Sequence, residues 1–173
     1  MANKTKIVLD ADVIIHFIKG ECFSILFDVF PEYDFIVLDV VYKELNRDNK
    51  RMIDGSCQIL KKIEKIPFKP TGDSMRDYFR LIQTMGKGES ACLVYCKDHN
   101  DVLGSSNLKD ISNFCSQHKI TYLTTLDFLY YAYVRGKLTV IECNDFILKV
   151  KIKGSKLPTE ITDILTYVCT VAI

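Results

Sequence analysis

The stretch Lys6-Ile7-Val8-Leu9-Asp10-Ala11-Asp12-Val13-Ile14-Ile15 decides the fold. Its first four residues read as a short apolar strand that stops at a carboxylate. The residues from Val13 to Ile18 then read as a helix, broken near Gly20. In an α/β sheet, ligands gather at the carboxyl ends of strands, so Asp10 stands where a site residue belongs. Asp10 could instead merely cap the helix that opens at Ala11. Asp12 is read as a cap or a solvent-facing acid. Two carboxylates in the first apolar run also argue against a secretory signal.

The same alternation continues outward from this stretch. Cys22 to Phe30 is an apolar segment stopped by Pro31, and Asp34 to Leu38 is a second strand ending at Asp39. Val40, Val41 and Leu45 suggest a short helix that Asp39 is placed to cap. Arg47 to Gly55 is polar and reads as a loop. Ile59, Leu60, Ile63 and Ile66 have helical spacing, closed by Pro67 and Pro70. Helices are expected from Asp73 to Met85, Glu89 to Lys97, Asn107 to His118 and Phe128 to Val134. Strands are expected at 102–105 and 120–123. Two further apolar segments, 140–150 and 161–171, read as a helical tail. The pattern predicts an α/β fold with a mostly parallel sheet of about four to five strands and helices on both faces. Residues 1–140 are expected to form the main domain, and 141–173 a helical C-terminal extension packed on it.

Composition supports this. A length of 173 residues suits one domain, and 48% hydrophobic with 26% charged residues excludes a disordered or fibrous chain. The 23 basic and 22 acidic residues leave a net charge of +1, so any nucleic-acid contact must come from a local patch. Candidate patches are the Lys/Arg residues of 43–51 and 149–156, for which solvated loops are the default reading. No apolar run approaches the ~20 residues that span a bilayer, so no membrane partner is expected. The seven cysteines are odd in number and scattered among apolar residues, which suits reduced thiols in a cytoplasmic protein. Cys92, Cys96 and His99 lack the fourth ligand and the knuckle spacing of a zinc site.

The remaining chemistry lies in carboxylates. Asp10 and Asp39 follow strands, Glu44 lies in the helix after Asp39, and Glu89 opens the helix after Gly88. Asp110 sits one turn beyond Asn107, and Asp127 follows Thr124-Thr125. Acids gathered at strand ends suit hard divalent cations, which prefer oxygen ligands. Each also has an ordinary role: Glu44 as a surface helical residue, Glu89 and Asp110 as first-turn acids, Asp127 as a cap.

Three segments together resemble the PIN domain, the fold of many small metal-dependent ribonucleases. They are Lys6–Ile15 with Asp10, Leu38-Asp39-Val40-Val41-Tyr42-Lys43-Glu44-Leu45 with Glu44, and Gly86-Lys87-Gly88-Glu89-Ser90-Ala91 with Glu89. Their order and separations also match, over roughly residues 5–140. The resemblance implies that Asp10, Glu44 and Glu89 are the catalytic acids and hold Mg²⁺ or Mn²⁺, with Asp110 or Asp127 completing the metal cluster. It departs at Asn107, which stands where the family carries an Asp and offers only an uncharged oxygen. The implied activity is hydrolysis of RNA phosphodiesters. The implied partners are RNA, a restraining antitoxin protein where the chain is a toxin of a toxin–antitoxin pair, and a second copy in a homodimer. Two alternatives remain. One is a degenerate PIN-like module that binds RNA or protein without cutting. The other is a haloacid-dehalogenase-like phosphatase, from Asp10-x-Asp12 and Gly72-Asp73-Ser74-Met75-Arg76-Asp77, although that second segment comes in the wrong order.

Overall fold

The computed structural model describes residues 4–173. Its centre is a sheet of five strands: β1 (Lys6–Leu9), β2 (Asp34–Leu38), β3 (Ile63–Ile66), β4 (Val102–Gly104) and β5 (Tyr122–Leu123). Their order is β3-β2-β1-β4-β5, and every neighbouring pair is parallel. Parallel pairing requires a crossover after each strand, and helices supply it. α1 (Ala11–Lys19) and α2 (Phe23–Val29) link β1 to β2. α3 (Asp39–Glu44) and α4 (Arg47–Gln58) link β2 to β3. α5 (Gly72–Leu81) and α6 (Lys87–His99) precede β4, and α7 (Leu108–His118) precedes β5. α8 (Thr125–Val134) and α9 (Val140–Ile152) close the chain, followed by a 3₁₀ turn at Ile164–Thr166. Ile7, Val8 and Leu9 are fully buried in a row, so both faces of β1 are covered, as expected of a parallel sheet.

Two segments depart from the sequence expectation. Arg47–Gln58 is a helix rather than a loop: Asn46 caps it by accepting the Asn49 N–H at 2.8 Å, and Asn49, Ile53 and Ser56 are buried at helical spacing. Ile63–Ile66 is a strand rather than part of a helix. It pairs with β2 alone, from Phe35↔Ile63 to Leu38↔Ile66, and exposes Glu64 and Lys65 as an edge strand does. Asp39 does not cap α3 either. It is the first helical residue, and its carboxylate accepts from Phe68 N and Lys43 Nζ. In the tail, only 140–152 is α-helical, and residues from 153 onward form turns and irregular chain around a single 3₁₀ turn.

The core is aromatic around α1. Phe17 lies 4.9 Å from Phe146 and 6.1 Å from Phe128, measured between ring centres, and Phe128 meets Phe30 at 5.7 Å. Helix α9 therefore contributes to the same core as β1. Its end is tied to α1 by a reciprocal pair: Lys19 Nζ donates to Lys153 O, and Lys153 Nζ donates to Lys19 O, each at 2.8 Å. Each lysine thus satisfies a carbonyl at the C-terminus of the other's helix. Glu21 bonds Lys149 and Lys153, so these two of the 149–156 cations serve this junction. Among the described residues no helix is long and apolar enough to cross a membrane, and all seven cysteines are free thiols, Cys92, Cys96, Cys115 and Cys143 among them buried.

Gly20 makes the α1–α9 contact possible, since a Cβ there would lie 2.1 Å from Phe146 Cδ2. Gly20→Ala should cost about 1–3 kcal/mol by overpacking, read as a fall in thermal midpoint of about 2–4 °C per kcal/mol. An unchanged midpoint would show that α9 does not pack tightly on α1.

Candidate acidic site

Because all five strands are parallel, all five carboxyl ends lie along one edge. Asp10 follows β1 directly, with its N–H donating to Gly104 O across the β1–β4 pair at 2.9 Å. It is 6% exposed and caps α1 by accepting the Ala11 N–H at 2.8 Å. Its cap role and a site role therefore coexist. Asp12, one residue into α1, turns toward β4: its Oδ2 accepts the Ser106 N–H at 2.7 Å, and its Oδ1 accepts the Val13 N–H at 2.6 Å. Ser105 Oγ lies between the two acids, 3.4 Å from Asp10 Oδ2 and 3.5 Å from Asp12 Oδ2.

Glu44 ends α3 and reaches across to α6, where its Oε1 accepts the Gly88 N–H at 2.9 Å. A side chain at 88 would clash there, since a Cβ would stand 2.6 Å from Glu44 Oε2. Gly86 has open space around it, so only the second glycine of Gly-Lys-Gly is required. Glu89 follows, 7% exposed, with Oε1 buried and lacking any hydrogen-bond partner. An orphaned carboxylate oxygen is costly unless something positive reaches it.

The electrostatics bind these acids into one group. Burial, then the charge of Asp12, pushes the Asp10 carboxyl well above its ordinary range, and Glu89 and Glu44 add to the effect. Burial also raises Asp12, while the Ser106 and Val13 amides pull it back. Glu89 is raised to about 7, first by burial, then by Asp110 and Asp12, with Glu44 adding less. Among the described residues, no lysine or arginine forms an ion pair with Asp10, Asp12, Glu44 or Glu89.

Asn107 stands at the N-terminus of α7, but its side chain caps nothing there. Its Nδ2 donates to Asp110 at 2.7 Å, and its amide holds the Glu89 pKa down. Asn107 and Asp110 therefore form the rim of the cluster beside Glu89. The uncharged side chain that faces Asp10 from the end of β4 is Ser105. Asp127 faces elsewhere: its Oδ2 takes the Thr124 N–H and Oγ–H in a capping box, each at 2.7 Å, and its Oδ1 accepts from Tyr167 Oη at 2.7 Å. Its carboxylate is committed to α8 and the C-terminal segment.

The structure brings Asp12, read from the sequence as a cap or solvent-facing acid, against Ser105 and Ser106, which the sequence did not single out. Asp-x-Asp after a strand was the available signal, but only the β4 loop shows which way Asp12 turns. The Gly72–Asp77 segment forms the start of α5, where exposed Asp73 pairs with Arg76 and Asp77 with Lys97. It supplies nothing to Asp10.

The five-stranded parallel sheet flanked by helices is the fold class that the PIN resemblance implies. No family model matches the chain, and no curated protein matches it. Among solved structures it is similar to a PilT N-terminus domain protein from the hyperthermophilic archaeon Sulfolobus solfataricus P2, at 12% identity and a TM-score of 0.45, over 75% of this chain and 94% of that one. It is also similar to FitAcB from Neisseria gonorrhoeae, at 12% identity and a TM-score of 0.46, over 69% of this chain and 98% of that one.

A hard cation fits these residues in one way only. Among the described residues, no three of His, Cys, Asp and Glu close to ligand distance around one point. The donor set is nonetheless all oxygen, crowded and short of positive charge, with one buried oxygen unpartnered. Mg²⁺ keeps several of its own waters and takes one or two carboxylates directly, so a wider ring of acids suits it better than a closed cage.

Two outcomes follow from the geometry. Glu89 titrates near 7 in the folded chain and near 4.5 when unfolded. The folded state therefore binds the extra proton, and stability falls as pH rises between those values. Metal-free protein should lose thermal midpoint, on the order of 5 °C, between about pH 5 and pH 8. Glu89→Gln should flatten that slope, and a slope identical to wild type would remove Glu89 from the crowd. Gly88→Ala should displace the Glu44 carboxylate and weaken Mn²⁺ binding measured by calorimetry, whereas Gly86→Ala should leave it unchanged. Equal affinities in all three proteins would separate Glu44 from the site.

Proposed function

We propose that the chain is a divalent-cation-dependent endoribonuclease, with Asp10, Asp12, Glu44 and Glu89 holding Mg²⁺ or Mn²⁺ and Asp110 at the rim. The observation that carries this reading is the convergence of four acids from three separate motif segments, Asp10 and Glu89 buried, Asp12 half-buried and Glu44 exposed, with no basic side chain paired to any of them. Support for a cation comes from the raised carboxyls of Asp10, Asp12 and Glu89 and from the unpartnered Glu89 Oε1. A bound cation supplies Lewis-acid polarisation of a phosphodiester. The chain's own residues do the rest. Ser106 N–H and Ala11 N–H orient Asp12 and Asp10, and Gly88 N–H orients Glu44. Asn107 orients Asp110 and Glu89. Without a cation, Glu89 titrates near neutral pH, so Oε1 can take or release a proton there.

RNA as the substrate follows from the resemblance and from the surface beside the site. A groove of ≈ 340 Å³ opens at Asp110 and is lined by Arg80, Lys109, Asn113, Phe114 and Gln117. It offers two cations for phosphates and two amides for base edges. A larger hollow of ≈ 490 Å³ lies at the opposite, amino edge, where Lys4 pairs with Asp34 and Lys62 with Asp28. It has none of the acids described above. A restraining antitoxin protein, a homodimer and a cytoplasmic location belong to the same reading and rest on the resemblance alone. The competing reading, a binding module that does not cut, is favoured by one feature: Ser105 and Asn107 are neutral at the end of β4.

Cleavage decides between them. Purified protein should cut single-stranded RNA with Mn²⁺ and not with EDTA, and Asp10→Asn should reduce the rate at least about 100-fold while the thermal midpoint holds or rises. Cutting that survives EDTA or Asp10→Asn would reject the proposal. RNA binding without cutting, in wild type with Mn²⁺, would favour the binding module.

A further inference from the structure

Behind the acids lies a closed ring of hydrogen bonds that the cluster itself does not explain. Asp12 and His16 stand one turn apart on α1, on the same helix face. Asp12 Oδ2 accepts Ser106 N–H at 2.7 Å. Ser106 Oγ donates to Thr125 Oγ1 at 2.8 Å and accepts Thr125 N–H at 2.8 Å. Thr125 Oγ1 meets His16 Nδ1 at 2.8 Å, which returns the ring to α1. Thr125 is fully buried and His16 is 5% exposed, so water does not compete for the bond between them, while Asp12 and Ser106 are half-buried. The ring joins three elements that are distant in the chain: α1, the loop after β4, and the start of α8.

Ser106 gives its single hydroxyl proton to Thr125 Oγ1. Thr125 Oγ1 then meets His16 in either of two ways: it donates to Nδ1, with the imidazole proton on Nε2, or it accepts a second hydrogen bond from Nδ1–H. We propose that His16 and Thr125 are positioning residues for the acidic site: through Ser106 they fix the loop that turns the Asp12 carboxylate toward Asp10. Ser105, next in that loop, contacts both acids, so movement of Ser106 displaces the wall of the pocket. The proposal rests on the cation reading above for its effect on metal affinity. The ring itself is testable without it.

Thr125→Val keeps the volume and removes the shared hydroxyl, whereas Thr125→Ser keeps the hydroxyl. Three readouts separate positioning from packing: amide exchange at Ser106, imidazole ¹⁵N shifts of His16, and Mn²⁺ affinity by calorimetry. Wild type and Thr125→Ser should show a protected Ser106 amide, the same imidazole ¹⁵N pattern and equal Mn²⁺ affinity. Thr125→Val should release the amide, change the imidazole pattern and weaken Mn²⁺ about tenfold or more, as loss of outer hydrogen-bond partners does. If Thr125→Val does not fold, Ser106→Ala should give the same three changes. The proposal is overturned if Thr125→Val or Ser106→Ala releases the amide yet binds Mn²⁺ as wild type does, or if Thr125→Ser loses as much affinity as Thr125→Val. Should wild type bind no Mn²⁺, the cation reading falls. The ring is then judged by exchange alone, and equal Ser106 protection in wild type and Thr125→Val overturns it.

Discussion

Like charges held together out of water are the constraint on which this molecule turns. A parallel sheet places every strand's carboxyl end at one edge, and this sequence puts Asp10 at that edge with Asp12 beside it. Glu44 and Glu89 arrive from helices that cross the same region. Repulsion between charges grows as the local dielectric falls, so burial makes the crowd costly. The raised carboxyls of Asp10, Asp12 and Glu89 are the direct expression of that cost. A fold does not retain such a cluster for stability. Protons relieve it at low pH, and a cation would relieve it at neutral pH. Stability given up at a site is the usual sign of function there.

The scaffold holds the acids with amides rather than with cations. Ala11, Val13, Ser106 and Gly88 each give a backbone N–H to a carboxylate oxygen. An amide fixes direction without neutralising charge, so the acids are oriented and remain available. A lysine or arginine in the same place would satisfy them and end the site. The rest of the fold keeps these donors still. The Phe17–Phe146 contact and the Lys19–Lys153 exchange pin α1, which carries two of the acids, from the side remote from the sheet edge. In this way α9 packs on the helix that carries two of the acids.

Much of this was legible in the sequence, and the failures have physical reasons. Strands β1, β2 and β4 were visible as apolar runs ending at punctuation, and Asp10, Glu44 and Glu89 were visible from their segments. Strand β3 was missed because only its two end residues are covered, with exposed Glu64 and Lys65 between them, and Ile59, Ile63 and Ile66 happened to fall at helical spacing. Helix α4 was missed because its buried positions include Asn49 and Ser56, so hydrophobic periodicity says little there. Asp127 carried a readable signal that competed with the site reading: Thr124-x-x-Asp127 is a capping box, repeated at Thr139-x-x-Glu142. Asp12 and Ser105 could not be assigned from sequence. Their orientation depends on the β1–β4 register, Leu9↔Gly104, which no local pattern specifies.

That register also bears on how much charge the site can hold. With Leu9 opposite Gly104, the next residues, Asp10 and Ser105, come side by side. An acid at 105 would press a further carboxylate against Asp10 and Asp12. Serine there lends a hydroxyl to both and adds no charge. Asn107 does the same one turn outward, giving its amide to Asp110 beside Glu89. Both neutral residues thus lower repulsion among the acids while sparing their oxygens. Two cations about 3.5–4 Å apart need carboxylates on every side to offset their own repulsion. A wall with serine and asparagine on the β4 side lacks that, whereas a single hydrated cation needs only the Asp10, Asp12, Glu44 and Glu89 side. Under the proposed reading, the neutral β4 wall therefore argues for one resident cation rather than a pair.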